Sequence, residues 1–328
     1  MKRYLAVQAG LMIAATVTSS WAASGAAGYD QHLASAKDAA NGVAGNLLRL
    51  CDLDGGKARS KGAMSGAQPL VEPQKVFDHL YYVGLERISA WAIDTSDGII
   101  LIDSLNSAKE AQDVIVPNLE KLGLDPKRLK MVIVSHGHGD HYGGAAYLAK
   151  QFNARVVASA IDWDLMAGPS PFPNAKWDAP PKRDQVVGDG EQLSLGDSKI
   201  TFYVTPGHTP GTLSLIFDVT DNGTRHRVAF WGGTAFNFKP TAENFSIYEK
   251  SADRFGKIAV ADKADVILSN HTVYDSSLAN LAALRTRQAG QANPYVVGTE
   301  AVRDYFTVAR ECAAAQGDAA TDRTPKVQ

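Results

Sequence analysis

The chain has 328 residues, 45% of them hydrophobic and 21% charged, and a formal net charge of −2. Such a composition excludes a disordered or fibrous chain, and the length suffices for one large core or two modest ones. With no basic field and no acidic tail, charge names no nucleic-acid partner and a small-molecule substrate is expected; the chain is expected to be a monomer.

Lys2 and Arg3 precede a mostly apolar run from Tyr4 to Val17, followed by Ser20-Trp21-Ala22. A charged start, a short apolar run and a small-x-small site read as a secretory signal, residues 1–22, cleaved after Ala22. The run is shorter than the roughly 20 residues needed to span a bilayer, and no later segment is long and apolar enough, so no membrane span is expected after cleavage. The mature chain is therefore expected in the periplasm or outside the cell. There the two cysteines, Cys51 and Cys312, are free to pair, the alternative being two separate buried thiols.

Residues 23–75, rich in Ala, Gly, Ser and Lys, read as an N-terminal extension wrapped on the domain, with one helical stretch around Asp38 to Leu50 and no chemistry. The domain proper is expected over 76–328. It opens with β-rich runs at His79 to Val83, Ile88 to Ile93 and Ile99 to Ile102, the last two joined by the turn Thr95-Ser96-Asp97-Gly98. Helical spacing from Ser107 to Leu122 ends at Gly123, and the strand Met131 to Val134 then runs into a histidine cluster. A helix at Gly143 to Phe152, a strand at Val156 to Ser159 and a proline-rich loop from Pro169 to Lys182 follow; the loop is long enough for a flap over a substrate. Strands recur at Ile200 to Val204, Leu213 to Val219 and Arg227 to Trp231, with Asp221-Asn222-Gly223 as the hairpin turn between the last two. A helix at Ala242 to Val260, a strand at Val266 to Ser269 and helices at Ser276 to Gln288 and Thr299 to Ala314 complete the chain. Two halves of strands followed by helices predict an α/β fold, an αββα sandwich of two mixed sheets face to face with helices outside.

His136-Gly137-His138-Gly139-Asp140-His141 places four potential metal ligands within six residues, with glycines where a tight loop must approach an ion. Two further histidines stand in loops after predicted strands: His208 in Thr205-Pro206-Gly207-His208-Thr209-Pro210-Gly211-Thr212, and His271 in Ser269-Asn270-His271-Thr272. The other three, His32, His79 and His226, lie in ordinary surroundings and are set aside. Imidazole-rich ligation favours zinc over magnesium or calcium, with iron, manganese and cobalt as other possible occupants.

The segments SHGHGDH and TPGHTPGT, with SNH after a late strand, resemble the metallo-β-lactamase superfamily over roughly residues 76–314. The resemblance implies two zinc ions, His136, His138 and His208 on the first, Asp140, His141 and His271 on the second. In the thioester- and lactone-hydrolysing branches an aspartate that bridges both metals ends the hairpin after the third histidine. Here that hairpin ends in Phe230-Trp231-Gly232-Gly233-Thr234, without a carboxylate. A hydroxyl residue at that place, and three histidines set against Asp-His-His, resemble the third subclass of metallo-β-lactamases. Phe236 departs from that pattern, standing where a further hydroxyl residue often contacts the substrate carboxylate.

The resemblance implies hydrolysis: two zincs acidify a shared water to a hydroxide that attacks the β-lactam amide, while Asp140 orients it. Thr234 and Asn237 are candidate substrate contacts. Ser135, Asp103 and Thr209 are candidates to accept the second N–H of a ligating histidine, Asp103 foremost because it closes the strand beneath the motif. Trp177, Phe172 and Tyr142 are either an apolar wall for substrate or plain packing. Three readings stand: a β-lactamase-type amidohydrolase, an exported hydrolase of another ester, lactone or thioester, and a zinc-binding protein without turnover.

Overall fold

The computed structural model describes residues 22–52, 68–173 and 177–322. Twelve strands form two sheets among these residues. The first, in spatial order, holds β1 (Gln74–Lys75), β2 (Leu80–Tyr82), β3 (Trp91–Thr95), β4 (Gly98–Ile102), β5 (Leu129–Ile133), β6 (Arg155–Ser159) and β7 (Gln185–Val187). Its pairings are antiparallel up to β3–β4 and parallel from β4–β5 onward. The second runs in the order β12 (Val266–Ser269), β11 (Thr224–Trp231), β10 (Leu213–Asp221), β9 (Ser198–Val204) and β8 (Gln192–Leu195), with only β11–β12 parallel.

Strand alternation explains the layering. In β4, Ile100 and Ile102 face the core between the sheets, where they meet Phe202, Leu215 and Phe230, whereas Ile99 and Leu101 turn outward beneath helices. The outer face of the first sheet is covered by the helical run Ala108–Glu110, Ala111–Ile115 and Val116–Lys121, and by Ala145–Phe152 and Ala160–Ala167. On the second sheet, Ile216, Ala229, Trp231 and Ile267 lie under helices Ala242–Ala261 and Thr299–Asp322. This is the αββα sandwich the sequence predicts.

The hairpin turn closes as expected: Asp221 pairs with Thr224, leaving Asn222 and Gly223 at φ 49° and 80°, the left-handed pair that Asn-Gly favours. The N-terminal region differs from expectation. A helix at Ala22–Ala39 gives way to a 3₁₀ segment at Gly42–Leu50, instead of one helix over Asp38 to Leu50. The break falls where Gly42 takes φ +52°, a conformation that ends an α-helix and favours glycine. Both pieces pack on Thr299–Asp322, with Ala36, Leu47 and Leu50 in the same cluster as Phe306 and Ala309. Cys51 and Cys312 are joined in a disulfide across a sequence separation of 261 residues. Apart from Ala22, the expected signal lies outside the described residues, and no helix among those described is long and apolar enough to cross a membrane.

Candidate metal centre

The ends of the strands deliver the site. His136 and His138 follow β5, His208 lies between β9 and β10, residues 232–235 follow β11, and His271 follows β12. Parallel pairing of β4 with β5 and of β11 with β12 brings these carboxyl ends to one edge of the sandwich. Asp103, just after β4, has φ 63°, a left-handed conformation that aspartate tolerates better than most residues.

Hydrogen bonds to carbonyls fix the imidazoles. A carbonyl oxygen can only accept, so His136 Nδ1 donates to Gly232 O (2.8 Å), His208 Nδ1 to Ala235 O (2.5 Å) and His271 Nδ1 to Arg87 O (3.0 Å). Each ring therefore presents a bare Nε2. The Nε2 atoms of His136 and His208 face each other at 3.0 Å, and His138 Nδ1 lies 3.1 Å from His208 Nε2. Burial holds the pKa of His136 and His208 well below the usual imidazole range and lowers that of His138 to about 4, so these rings are neutral. Two lone pairs aimed at each other repel unless a cation lies between them, which is the donor set of a metal ion.

A second cluster adjoins the first. Asp140 Oδ2 lies 3.4 Å from His141 Nε2 and 3.7 Å from His271 Nε2. His141 Nε2 and Asp140 Oδ1 are buried with no hydrogen-bond partner among the described residues, a costly state that a bound cation relieves. Burial lowers the pKa of His141, but the carboxylates of Asp140 and Asp103 outweigh it and raise the value to about 10; Asp140, flanked by histidines, is correspondingly held down. His271, with 22% of its side chain exposed, is the most open of the five histidines. The residues present thus fit a dinuclear metal site, with His136, His138 and His208 grouped, and His136 close to Asp140 and His141.

Asp103 lies under this arrangement. Its Oδ2 accepts from His141 Nδ1 (2.8 Å) and from Ser135 Oγ (2.8 Å), and its Oδ1 accepts from Ser135 N (2.8 Å). Phe172 and Trp177 reach the site: their rings lie 5.1 Å and 6.1 Å from His138, with Trp177 stacked on it, and Tyr142 lines the same cavity beside them. Gly139 admits this packing, since a Cβ there would come within 2.3 Å of Trp177 Cγ.

Two expected substrate contacts fare differently. Thr234 is fully buried; its hydroxyl shares a hydrogen bond with Ser269 Oγ (3.1 Å) and its carbonyl accepts from Tyr248 Oη (2.8 Å), so it lies behind the histidines and not on a surface open to substrate. Asn237 is on the following loop, its N–H bonded to Ala235 O (3.0 Å), and makes no bond to the cluster among the described residues. Phe236 packs edge-on against Tyr248 and Phe245. Of the histidines set aside, His32 pairs with Glu311 and His226 with Asp265.

Sequence reasoning missed two buried polar residues. Asn270 Nδ2 donates to Gly232 O (2.6 Å), the carbonyl that also orients His136. Asp162, on helix Ala160–Ala167, ties Gly137 to the His208 loop. A serine three residues before that aspartate is a helix-start signature that would have found it: Ser159 Oγ accepts from Asp162 N (3.1 Å).

Comparison with known proteins agrees with this geometry. The profile of the metallo-beta-lactamase superfamily matches residues 83–271. A hydroxyacylglutathione hydrolase of Chromohalobacter salexigens is 32% identical over 158 residues, 46% of this chain and 50% of that protein. Another, of Acidiphilium cryptum, is 31% identical over 90 residues, 27% of this chain and 31% of that protein. The chain thus spans half or less of the length of these two curated relatives. Among solved structures, a subclass B3 metallo-beta-lactamase of Bradyrhizobium japonicum superposes with a TM-score of 0.64 at 29% identity, over 75% of this chain and 93% of that one. This chain belongs to the metallo-beta-lactamase superfamily.

Proposed function

We propose that the chain is an exported, two-zinc hydrolase that opens the amide bond of a β-lactam or a similar cyclic amide. The observation that carries the hydrolase reading is the convergence of bare imidazole nitrogens beside an unpartnered Asp140 oxygen. Support for the β-lactam branch comes from the end of β11, where Thr234 replaces a carboxylate and turns its hydroxyl to Ser269, and from the likeness to the Bradyrhizobium japonicum enzyme. The disulfide accords with export.

His136, His138 and His208 would hold one ion, and Asp140, His141 and His271 the other. When bound, the pair supplies Lewis acidity and an acidified water at neutral pH. The chain's own residues do the rest. Carbonyls 232, 235 and 87 fix the tautomers of His136, His208 and His271, and Asp103 that of His141, so these four rings are oriented before a substrate arrives. Asp140, whose Oδ1 has no hydrogen-bond partner among the described residues, would orient the attacking water. Phe172 and Trp177 keep bulk water from the outer face of His138 and offer an apolar wall to the substrate.

A second reading, hydrolysis of a thioester, is favoured by the names of the curated relatives. Purified mature protein assayed with a chromogenic cephalosporin, a carbapenem and an S-acylglutathione separates the two. Turnover of either lactam that chelation abolishes supports the first, and turnover of the thioester alone replaces it with the second.

A further inference from the structure

Asp162 is a buried carboxylate beside the centre that the proposed chemistry leaves unused. It sits three residues after the N-cap Ser159 of helix Ala160–Ala167, 1% exposed, with its backbone N–H held by the Ser159 hydroxyl. Its two oxygens reach across to both histidine loops. Oδ2 accepts from Gly137 N (2.8 Å), between His136 and His138, and from Thr209 Oγ1 (2.6 Å), next to His208. Oδ1 accepts from Gly211 N (2.9 Å), at the far end of the His208 loop.

Both glycines are shaped to this carboxylate. A Cβ at Gly211 would lie 2.7 Å from Asp162 Oδ1 and 2.3 Å from Ser159 Oγ, and one at Gly137 would lie 3.3 Å from Asp162 O and 3.4 Å from its Cγ. Thr209 Oγ1 also shares a hydrogen bond with Thr212 Oγ1 (2.8 Å), and Thr212 Oγ1 accepts from Thr209 N (3.1 Å), so the clasp extends through the turn that carries His208. His136 and His138 come from one loop and His208 from another, His138 and His208 being 70 positions apart in sequence. Among the described residues, Asp162 is the side chain that hydrogen-bonds to both loops beside those histidines.

We infer that Asp162 is a positioning residue for the first metal site: by clamping Gly137 to Thr209 and Gly211, it sets the spacing of His136 and His138 against His208, and hence the affinity of that site alone. The inference rests on the ligand assignment proposed above. An ionised carboxylate suits the task, because all three partners are donors and both oxygens must accept. An amide cannot do the same, since its nitrogen would face a donor.

The test uses the metal-free mature chain titrated with Co(II) against a competing chelator, with His208→Ala and His271→Ala identifying the absorption bands of the two sites. Asp162→Asn should weaken binding at the first site by about 10- to 100-fold and move the second by less than about 3-fold. Should that variant fail to fold, Thr209→Val should weaken the first site by about 10-fold at most, and Thr209→Ser, which keeps the hydroxyl, should restore it. Wild-type affinity at the first site in Asp162→Asn, or equal weakening at both sites, would overturn the inference while leaving the ligand assignment intact. A wild-type chain that binds no Co(II) would overturn both.

Discussion

Removing the Cys51–Cys312 bridge should lower stability without disturbing the metal centre. The bridge closes a loop of 261 residues. The chain-entropy relation assigns such a loop about 5.6 kcal/mol at 25 °C, an upper bound because compact unfolded chains already restrict the loop. A loss of about 3 to 5 kcal/mol is the expectation in practice. Spread over about 300 residues at roughly 2.1 cal/mol/K each, the unfolding entropy converts that loss to a fall in Tm of about 5 to 8 °C. The native contacts that dock the extension survive the change: Leu47 and Leu50 remain against Thr299–Asp322, and Tyr29 Oη still reaches Cys51 O (3.0 Å), a backbone atom. The assay is thermal unfolding by circular dichroism of the Cys51→Ser/Cys312→Ser protein beside wild type, with metal content measured on both. A Tm within about 2 °C of wild type, or loss of bound metal in the variant, would refute the reasoning.

Three other outcomes follow from named contacts. Asp103→Ala strands His141 Nδ1, Ser135 N and Ser135 Oγ, and should weaken metal at the second site by about 10- to 100-fold, read by chelator competition. Trp177→Ala removes the ring stacked on His138 and should raise KM for a substrate with an apolar side chain by about 5- to 30-fold with a smaller change in kcat, read from steady-state kinetics. Burial pushes the Asp275 carboxyl up to about 7, against hydrogen bonds from Ser277 and from Ser269 N–H that lower it. Because this folded value exceeds the ordinary 3.8, the group's contribution to stability is full below about pH 4 and is lost as pH rises toward 7. Urea unfolding at pH 5 and pH 8 should therefore show Asp275→Asn gaining on wild type at the higher pH; a constant difference would refute the assignment.

The sequence made the centre legible because its ligands are rare residues in glycine-spaced loops after apolar runs. His136, His138, Asp140, His141, His208 and His271 arrive together without any of them needing a long-range contact to be noticed. Strands with a continuous apolar run or a clear turn were also legible: Val266–Ser269 matches residue for residue, and Asp221-Asn222-Gly223 turns as its chemistry requires. Short polar edge strands were not. Gln185–Val187 and Gln192–Leu195 have three and four residues and only partial burial, so their pairing partners define them, not their own pattern. Helix Ala160–Ala167 escaped notice because its eight residues are apolar on several faces, with no stripe of period 3.6. Missing that helix meant missing Asp162. Thr234 illustrates the other limit: a sequence gives the residue type at a position, but the direction of a hydroxyl depends on Ser269, which is 35 residues away.

Anomalous diffraction at the zinc edge from crystals of the protein locates the metal ions against their ligands. Two peaks per chain are expected, one enclosed by His136, His138 and His208 and the other by Asp140, His141 and His271. A single peak, or none at these residues in zinc-saturated crystals, would contradict this assignment.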